Sequence, residues 1–368
     1  MKKTLSILFL SVCFTFNAQA QLSRGYYRVQ NTYTDRYMSI EDNNSANYPV
    51  SQSGQVNLTG IKTYKPGVKV STSPSTVVYV YNVKGKQYDI EGQGTSIHYL
   101  TGGRAYVTLD VQADGSYQAH GDYSGVKLYL MDESDRDKEE ATLISYSKSD
   151  KTKNWWAKKV DTENEYLGIQ PDVEVGGKYY GTIYAAFPFK LVSSGMKAYA
   201  VTSAAGSGFT VQEITGDIPA ATAVIIECSS NNPANNKILP VESDPTLGCD
   251  NKLFGTYCDR VSVRFTNAQF YYPNYMRTIG TSGGKLAFRK ATAADLTQSY
   301  YLKANKAYLM VDPSNAADVL VVGGTDIREI ENETTVNDRW YSLDGRELQG
   351  QPTRKGIYIN NGKKVVVK

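Results

Sequence analysis

Histidine is scarce in this sequence of 368 residues, which contains only His98 and His120. A serine- or cysteine-based catalytic triad would have to use one of them as its base, and neither lies in a nucleophile motif. Neither has a nearby cysteine or carboxylate pattern of the kind that binds zinc. The sequence therefore predicts no catalytic triad, no metal site and no cofactor, and we expect both histidines to be structural or solvent-facing.

Long apolar runs are missing after the first twenty residues. Two lysines precede an apolar run over residues 5–16, which is shorter than the ~20 residues that a bilayer requires. Ala18 and Ala20 then place small residues where a signal peptidase cleaves, so residues 1–20 are predicted to be a secretory signal peptide. A second interpretation is a near-lipobox ending at Cys13, which would become a lipid-anchored N-terminus.

Neither sign of charge is in excess. The formal net charge of +3 falls to +1 when the two lysines of residues 1–20 are removed. This balance gives no electrostatic reason to expect nucleic acid or an anionic membrane as a partner. The one dense acidic run, over residues 132–140, also contains Arg136 and Lys138 and lacks the glycine and spacing of a calcium loop. We expect it to be a solvated loop.

Cysteine is rare as well, with three residues after the predicted signal peptide: Cys228, Cys249 and Cys258. The short spacing between Cys249 and Cys258 favours a disulfide between them in an oxidising compartment, with Cys228 buried and free. The odd count leaves the pairing open.

Tyrosine is abundant, with 29 residues, and glycine reaches 31. Together with many serine, threonine and asparagine residues, this composition favours strands joined by turns over helices. The chain is long enough for two domains of ordinary size. We predict an all-β protein with domains over residues 21–191 and 192–323, followed by a linker and tail over residues 324–368.

A strand-turn-strand motif recurs in the first predicted domain. Residues 27–31 and 37–40 are echoed by residues 78–82 and 88–90, and further starts near Tyr129 suggest a period of about fifty residues. The opening phrase Gly25-Tyr26-Tyr27-Arg28-Val29-Gln30-Asn31 resembles the first strand pair of ricin-type β-trefoil modules. The resemblance implies a β-trefoil-like fold and a sugar-binding role. Another β-barrel or a sandwich is the alternative.

The second predicted domain contains seven alternating apolar segments between residues 196 and 322. Only residues 292–298 are predicted to form a short helix. The segment resembles an accessory β-sandwich found between functional modules and sorting tails in secreted bacterial proteins, a resemblance that implies no defined activity.

The end of the chain predicts a compact set of short strands. Asp344-Gly345 and Asn361-Gly362 lie between β-rich flanks, which is a strong hairpin signal. The order of Tyr341, Leu343, Gly345 and Arg346, then Gly356 and Tyr358, then a basic final strand resembles the C-terminal sorting domain of type IX secretion cargo. That resemblance implies interaction with the secretion machinery, passage across a Gram-negative outer membrane, and release or surface attachment. The alternative is a hairpin that closes a β-domain.

Aromatic residues supply the candidate ligand site. Sugar rings pack against aromatic faces beside polar hydrogen-bonding groups. Trp155 and Trp156 are adjacent, so in a strand one indole would face the core and the other could face a ligand. Tyr271, Tyr272 and Tyr275 form a second candidate. The alternative is that these rings only fill and edge small β-domains.

The sequence therefore predicts a non-catalytic secreted or surface-displayed binding protein for glycan or host matrix. A structural or assembly component of the cell surface, pairing with other chains, is the alternative. A glycoside hydrolase is a more distant one, and it would need two carboxylates within about 5 to 10 Å in a cleft. Clustering of exposed aromatic side chains in one groove would favour binding over assembly.

Overall fold

The structure is a computed structural model, and its described residues belong to two compact units, Met1–Ile327 and Arg328–Lys368. The described residues are 21–40, 61–64, 70–93, 95–96, 106–123, 125–132, 140–142, 150–255, 257, 275–297, 301–312, 314, 316–323, 340–342, 347–348, 352–353, 356–360 and 363–367. The predicted signal peptide, Cys13 and the start of the predicted linker lie outside them.

Strands dominate the described part of the chain, which contains no α-helix and four 3-10 helices, at Pro74–Thr76, Asp150–Lys153, Pro233–Asn235 and Ala293–Asp295. The prediction of an all-β protein is confirmed. Within the same residues, no helix has the length and apolar character needed to cross a membrane. The helix expected over residues 292–298 is only the 3-10 turn Ala293–Asp295, because a strand begins at Leu296.

Twelve strands form the first part of the larger unit. They are β1 (Gly25–Asn31), β2 (Tyr37–Ile40), β3 (Ile61–Tyr64), β4 (Val70–Ser71), β5 (Val78–Lys84), β6 (Gln87–Gly92), β7 (Thr95–Ser96), β8 (Val107–Val111), β9 (Tyr117–Tyr123), β10 (Val126–Tyr129), β11 (Glu140–Thr142) and β12 (Asn154–Lys159).

Six of these strands close into a ring through antiparallel pairs. The ring follows the order β1, β5, β6, β8, β9, β12 and returns to β1. Strands β2, β3, β7, β10 and β11 extend it as side branches. Alternate residues of the ring strands point inward and form one apolar core, whose members include Tyr27, Val29, Val78, Val80, Tyr88, Leu109 and Trp155.

Fourteen more strands lie in the described residues of the rest of the larger unit. They are β13 (Tyr166–Gly168), β14 (Val173–Val175), β15 (Lys178–Ile183), β16 (Phe189–Leu191), β17 (Lys197–Ile214), β18 (Val224–Cys228), β19 (Lys237–Pro240), β20 (Leu253–Gly255), β21 (Met276–Ser282), β22 (Lys285–Lys290), β23 (Leu296–Thr297), β24 (Tyr301–Leu302), β25 (Ala307–Met310) and β26 (Ala316–Val322).

These strands build a nine-stranded sheet, in the order β14-β15-β18-β17-β26-β22-β21-β25-β20, and a two-stranded sheet, β23-β24. Together with β4 they also form a four-stranded sheet, β16-β19-β13-β4. Strand β18 is buried along its whole length. Val224 and Ile226 face a core shared with the four-stranded sheet, whereas Ile225 faces a second core on the opposite side. A strand covered on both faces reads as a continuous apolar run, which explains the sequence Val224-Ile225-Ile226.

Strand β17 joins two segments that the sequence predicts as separate strands. It runs for 18 residues. Its first part pairs antiparallel with β18, and its middle part, from Gly206 to Phe209, pairs parallel with β26, with a register shift between Gly206 and Gly208. Lys197 Nζ lies 2.9 Å from Glu213 Oε2, and the hydroxyl oxygens of Thr202 and Thr210 are 2.9 Å apart. The two apolar segments therefore lie side by side, and the chain reverses direction in the polar, glycine-rich stretch between them.

Strands on both sides of position 191 share sheets. Strand β15 pairs with β18, and β16 pairs with β19. Residues 166–191 thus contribute to the same two sheets as residues that follow position 191. The division into domains at 191/192 stays a prediction.

The smaller unit is described by four strands: β27 (Trp340–Ser342), β28 (Glu347–Leu348), β29 (Gly356–Asn360) and β30 (Lys363–Val367). They form an antiparallel sheet in the order β28-β27-β29-β30. Strands β29 and β30 pair antiparallel from Gly356 opposite Val367 to Asn360 opposite Lys363, as expected for a hairpin.

Replacing Trp155 by alanine tests the core of the ring. The side chain is 2% exposed, and its Nε1 donates a hydrogen bond of 2.9 Å to the Leu130 carbonyl oxygen. Trp155→Ala should lower the free energy of unfolding by about 3–5 kcal/mol, measured by urea denaturation followed by circular dichroism. The matched variant Trp156→Ala should cost clearly less, because that ring lies half-buried on the opposite face. Equal losses would contradict the assignment of faces.

Candidate functional site

The structure separates the two adjacent tryptophans. Trp155 pairs with Asn31 and Trp156 with Gln30 across β1 and β12. Successive side chains of a strand point to opposite faces, and the indole of Trp155 lies in the core while that of Trp156 is half-buried on the outer face. Of the two, only Trp156 is placed to meet a ligand.

The second predicted aromatic candidate is described only at Tyr275, since Tyr271 and Tyr272 lie outside the described residues. Tyr275 is half-buried and precedes β21. Its carbonyl oxygen accepts a hydrogen bond of 3.0 Å from the Val311 amide. The described structure does not bring Tyr275 together with either tryptophan in a lined cleft.

A different group of aromatic side chains does line a cleft, which we call the aromatic cleft. Its volume is about 230 Å³, and its lining residues are Arg24, Tyr26, Val77, Tyr79, Glu91, Gly92, Gln93, Ala186, Phe187 and Glu242. None of the sequence-predicted site residues that the structure describes is among them. The aromatic cleft lies wholly within the larger unit.

Three neighbouring ring strands supply one row of side chains for the aromatic cleft. Tyr26 of β1 lies directly opposite Tyr79 of β5, and Tyr79 lies opposite Glu91 of β6. The rings of Tyr26 and Tyr79 are 4.7 Å apart, centroid to centroid. Because Val78 and Val80 on either side of Tyr79 point into the core, the alternation of β5 places the Tyr79 ring on the outer face.

The remaining wall comes from segments far along the chain. Phe187 lies between β15 and β16, and its ring centroid is 5.6 Å from that of Tyr26. Glu242 follows β19. Gln93 is 6% exposed, and its side-chain amide nitrogen donates to the Tyr257 carbonyl oxygen at 2.8 Å and to Asn305 Oδ1 at 3.1 Å. These bonds fix the rim of the cleft.

Arg24 crosses the mouth of the aromatic cleft. Its guanidinium carbon lies 5.4 Å from the centroid of the Tyr79 ring, and its Nε donates a hydrogen bond to the Tyr79 hydroxyl. The same Nε lies 3.3 Å from Glu242 Oε2, with the two side chains 67% and 48% exposed. An ion pair this exposed contributes little to stability, so the arginine side chain can move at small cost.

The protonation of the lining groups follows from their surroundings. Burial, and then the charge of Asp89, raise the pKa of the Glu91 carboxyl. Burial, together with Tyr79, Glu242 and Glu91, raises the pKa of Tyr26 to about 12. Tyr26 therefore keeps its proton at neutral pH and can donate a hydrogen bond to a ligand.

Other expectations on reactive groups fall outside the aromatic cleft. His120 is buried and its Nε2 lies 3.0 Å from Asp110 Oδ2, which is a structural setting; His98 lies outside the described residues. Cys228 is buried and Cys249 is also a free thiol, while Cys258 is not described. The prediction of a solvated loop over residues 132–140 is wrong at Asp132, which is fully buried, and residues 133–139 lie outside the described residues. The buried carboxylate accepts a hydrogen bond of 2.7 Å from the Thr34 hydroxyl and lies 3.4 Å from Arg36 Nε, which compensates its charge.

Comparison with known proteins gives little. No protein-family model matches the chain, and no curated protein matches it. Among solved structures, it is similar to a mosquitocidal holotoxin, with 11% sequence identity over 74% of this chain and a TM-score of 0.27. The aligned part spans 39% of that chain. A likeness at this level carries no argument about fold or function.

The Glu91 carboxyl offers a test of the cleft's electrostatics. Its folded-state pKa is raised, so the protein should lose stability as the pH rises through the titration of this group, because the folded chain binds its proton more tightly than the unfolded chain.

Asp89→Asn removes a neighbouring negative charge and should lower the Glu91 pKa, as measured by carboxyl-carbon NMR. The pKa of Asp110, which is lowered chiefly by its hydrogen bond with Lys86, should not change. An unchanged Glu91 pKa would show that Asp89 exerts no field in the cleft.

Proposed function

We propose that this protein is a non-catalytic, secreted or surface-displayed binding protein whose aromatic cleft takes a sugar ring of a glycan. One observation carries the proposal: Tyr26, Tyr79 and Phe187, from three separate segments, converge in one cleft together with three charged side chains. Aromatic rings that only fill or edge a sheet would be scattered over its surface. Their clustering in one cleft favours binding over a role as a cell-surface assembly component.

The chemistry of the lining suits a sugar. The faces of Tyr26 and Tyr79 supply apolar surface for the C–H groups of a pyranose, while Glu91, Glu242 and Arg24 supply acceptors and donors for hydroxyl groups. Ligand pockets for larger molecules usually measure about 300–1,000 Å³. A cleft of about 230 Å³ is below that range, so it suits one ring of a glycan chain better than an extended polymer. Host matrix glycans fall in the same class of ligand.

The finer description of the fold is part of the proposal. The region 21–191 is taken as β-trefoil-like. The closed ring of six strands, with further strands paired to it as side branches, supports this description. The region 192–323 is taken as sandwich-like because it supplies seven of the nine strands of the larger sheet; of the four-stranded sheet that shares a core with it, only β19 comes from this region.

Export is the last part of the proposal. A signal peptide over residues 1–20 and a type IX sorting tail would carry the protein to the surface of a Gram-negative cell or beyond it. The compact four-stranded sheet of the smaller unit, with Lys363 in its last strand, supports the tail.

Binding to a broad glycan array tests the function. Tyr79→Ala removes the central aromatic face and should weaken a saturable hit roughly tenfold. Tyr33→Ala, which removes an exposed tyrosine outside the cleft lining, should leave binding unchanged. Circular dichroism should show that both variants are folded. If Trp156→Ala abolishes binding while Tyr79→Ala does not, the site lies at Trp156; silence across the array would exclude glycans as ligands.

A glycoside hydrolase is the second candidate, because Glu91 and Glu242 line the same cleft and the Glu91 pKa is raised. Hydrolysis with two carboxylates needs one group protonated as the general acid and the other ionised. In that case the wild-type protein should release nitrophenol from one of a panel of nitrophenyl glycosides, and Glu91→Gln should abolish the release. Equal rates for wild type and Glu91→Gln would leave the cleft as a binding site without catalysis.

A further inference from the structure

The aromatic cleft already holds a cation of its own chain. The Arg24 guanidinium lies over the Tyr79 ring at 5.4 Å and beside Glu242 at 3.3 Å. A cation over an aromatic face is attracted by the ring's negative potential, and a nearby carboxylate adds a charge-assisted hydrogen bond. The position between Tyr79 and Glu242 is therefore one in which a positive group is stabilised.

The charges that line the cleft also favour a positive ligand. Glu91 and Glu242 face a single lining cation, Arg24. Among the described residues, no lysine or arginine forms an ion pair with Glu91, and Asp89 adds a second negative charge close to it. A ligand carboxylate or sulfate would meet an excess of like charge here.

We propose that the aromatic cleft takes an amino sugar, whose ammonium group replaces the Arg24 guanidinium between Tyr79 and Glu242. This inference rests on the proposed glycan-binding function and narrows it to one class of sugar. The sugar ring lies against Tyr26 and Tyr79, and Glu242 accepts hydrogen bonds from the ammonium. Arg24 acts as a displaceable internal competitor, since its side chain is largely exposed and its ion pair is weak.

The effect of Arg24 on affinity distinguishes a cationic ligand from an anionic one. If the ligand is cationic, Arg24 competes with it, and removal of the guanidinium strengthens binding. If the ligand is a uronic acid or a sulfated sugar, Arg24 is its anchor, and the same substitution weakens binding. One variant thus gives opposite signs for the two classes of ligand.

Calorimetric titration of the purified protein at mildly acidic pH, where the amine is protonated, tests the proposal. The ligands are tetramers of glucosamine, N-acetylglucosamine and galacturonic acid, together with tetralysine. We expect the glucosamine tetramer to bind most tightly. Arg24→Gln should tighten its binding about two- to fivefold, while Glu242→Gln should weaken it about tenfold. Arg24→Gln should not tighten the binding of the N-acetylglucosamine tetramer, because that ligand has no ammonium group to compete with the guanidinium.

Matched variants outside the cleft control for net charge. Lys190→Gln and Glu174→Gln alter exposed charges on β16 and β14, and both should leave the affinities unchanged. Thermal melts should show that all four variants fold, because each replaced side chain lies at the surface or at the open mouth of the cleft.

Five results would overturn the proposal. Weaker binding of the glucosamine tetramer to Arg24→Gln, or tighter binding of the galacturonic acid tetramer than of the glucosamine tetramer, would assign Arg24 to an anionic ligand. Tighter binding of tetralysine than of the glucosamine tetramer would show that the cleft takes the lysine ammonium group of a protein partner. Tightest binding of the N-acetylglucosamine tetramer would remove the amino-sugar preference and keep the glycan-binding function, whereas no binding of any sugar would remove both.

Discussion

Tyr26 and Tyr79 lie directly opposite each other on β1 and β5, and this register decides which side chains face the core and which face the aromatic cleft. A slip of one residue would turn every side chain of β1 to the other face. Tyr27 and Val29 would leave the core, and the guanidinium of Arg28 would enter it. Arg28 is 2% exposed on the outer face, where Glu165 lies 2.9 Å from its Nη1. The cost of burying that charge without its partner makes the slipped register unfavourable.

The ion pair between Arg28 and Glu165 also connects the ring to the rest of the larger unit. Glu165 accepts a hydrogen bond of 2.6 Å from the Tyr37 hydroxyl and lies 3.3 Å from Lys158 Nζ. These partners belong to β2 and β12, while Glu165 immediately precedes β13 of the four-stranded sheet. Burial lowers the pKa of Arg28, and Glu165 opposes that effect. The Glu165 carboxylate therefore ties two ring strands, β1 and β12, and the side branch β2 to the start of the four-stranded sheet.

Local patterns in the sequence predict the strands well, because alternation and turn residues depend on near neighbours. The opposite faces of Trp155 and Trp156 follow from that alternation. The aromatic cleft could not be predicted in this way, since Phe187 and Glu242 reach Tyr26 only through the pairing of distant strands. A partial signal was present: Tyr79 and Tyr81 alternate with Val78 and Val80, so two tyrosines share the outer face of β5. The parallel pairing of β4 with β13 likewise has no local signature.

Phe187 shows why the aromatic cleft depends on both groups of sheets. Its side chain is 5% exposed and packs in the core between the nine- and four-stranded sheets, with Phe189, Ile226 and Ile238. The same ring stands 5.6 Å from Tyr26, whose strand belongs to the closed ring. Residues 192–323 supply β17, β18 and β19, without which this core would be open to water and the position of Phe187 undefined. The cleft is thus a property of the whole larger unit, although its two tyrosines, Tyr26 and Tyr79, come from the paired strands β1 and β5. Any change that loosens the core around Phe187 should alter the wall of the cleft before it alters the Tyr26–Tyr79 pair, because that pair is held by the backbone of adjacent strands.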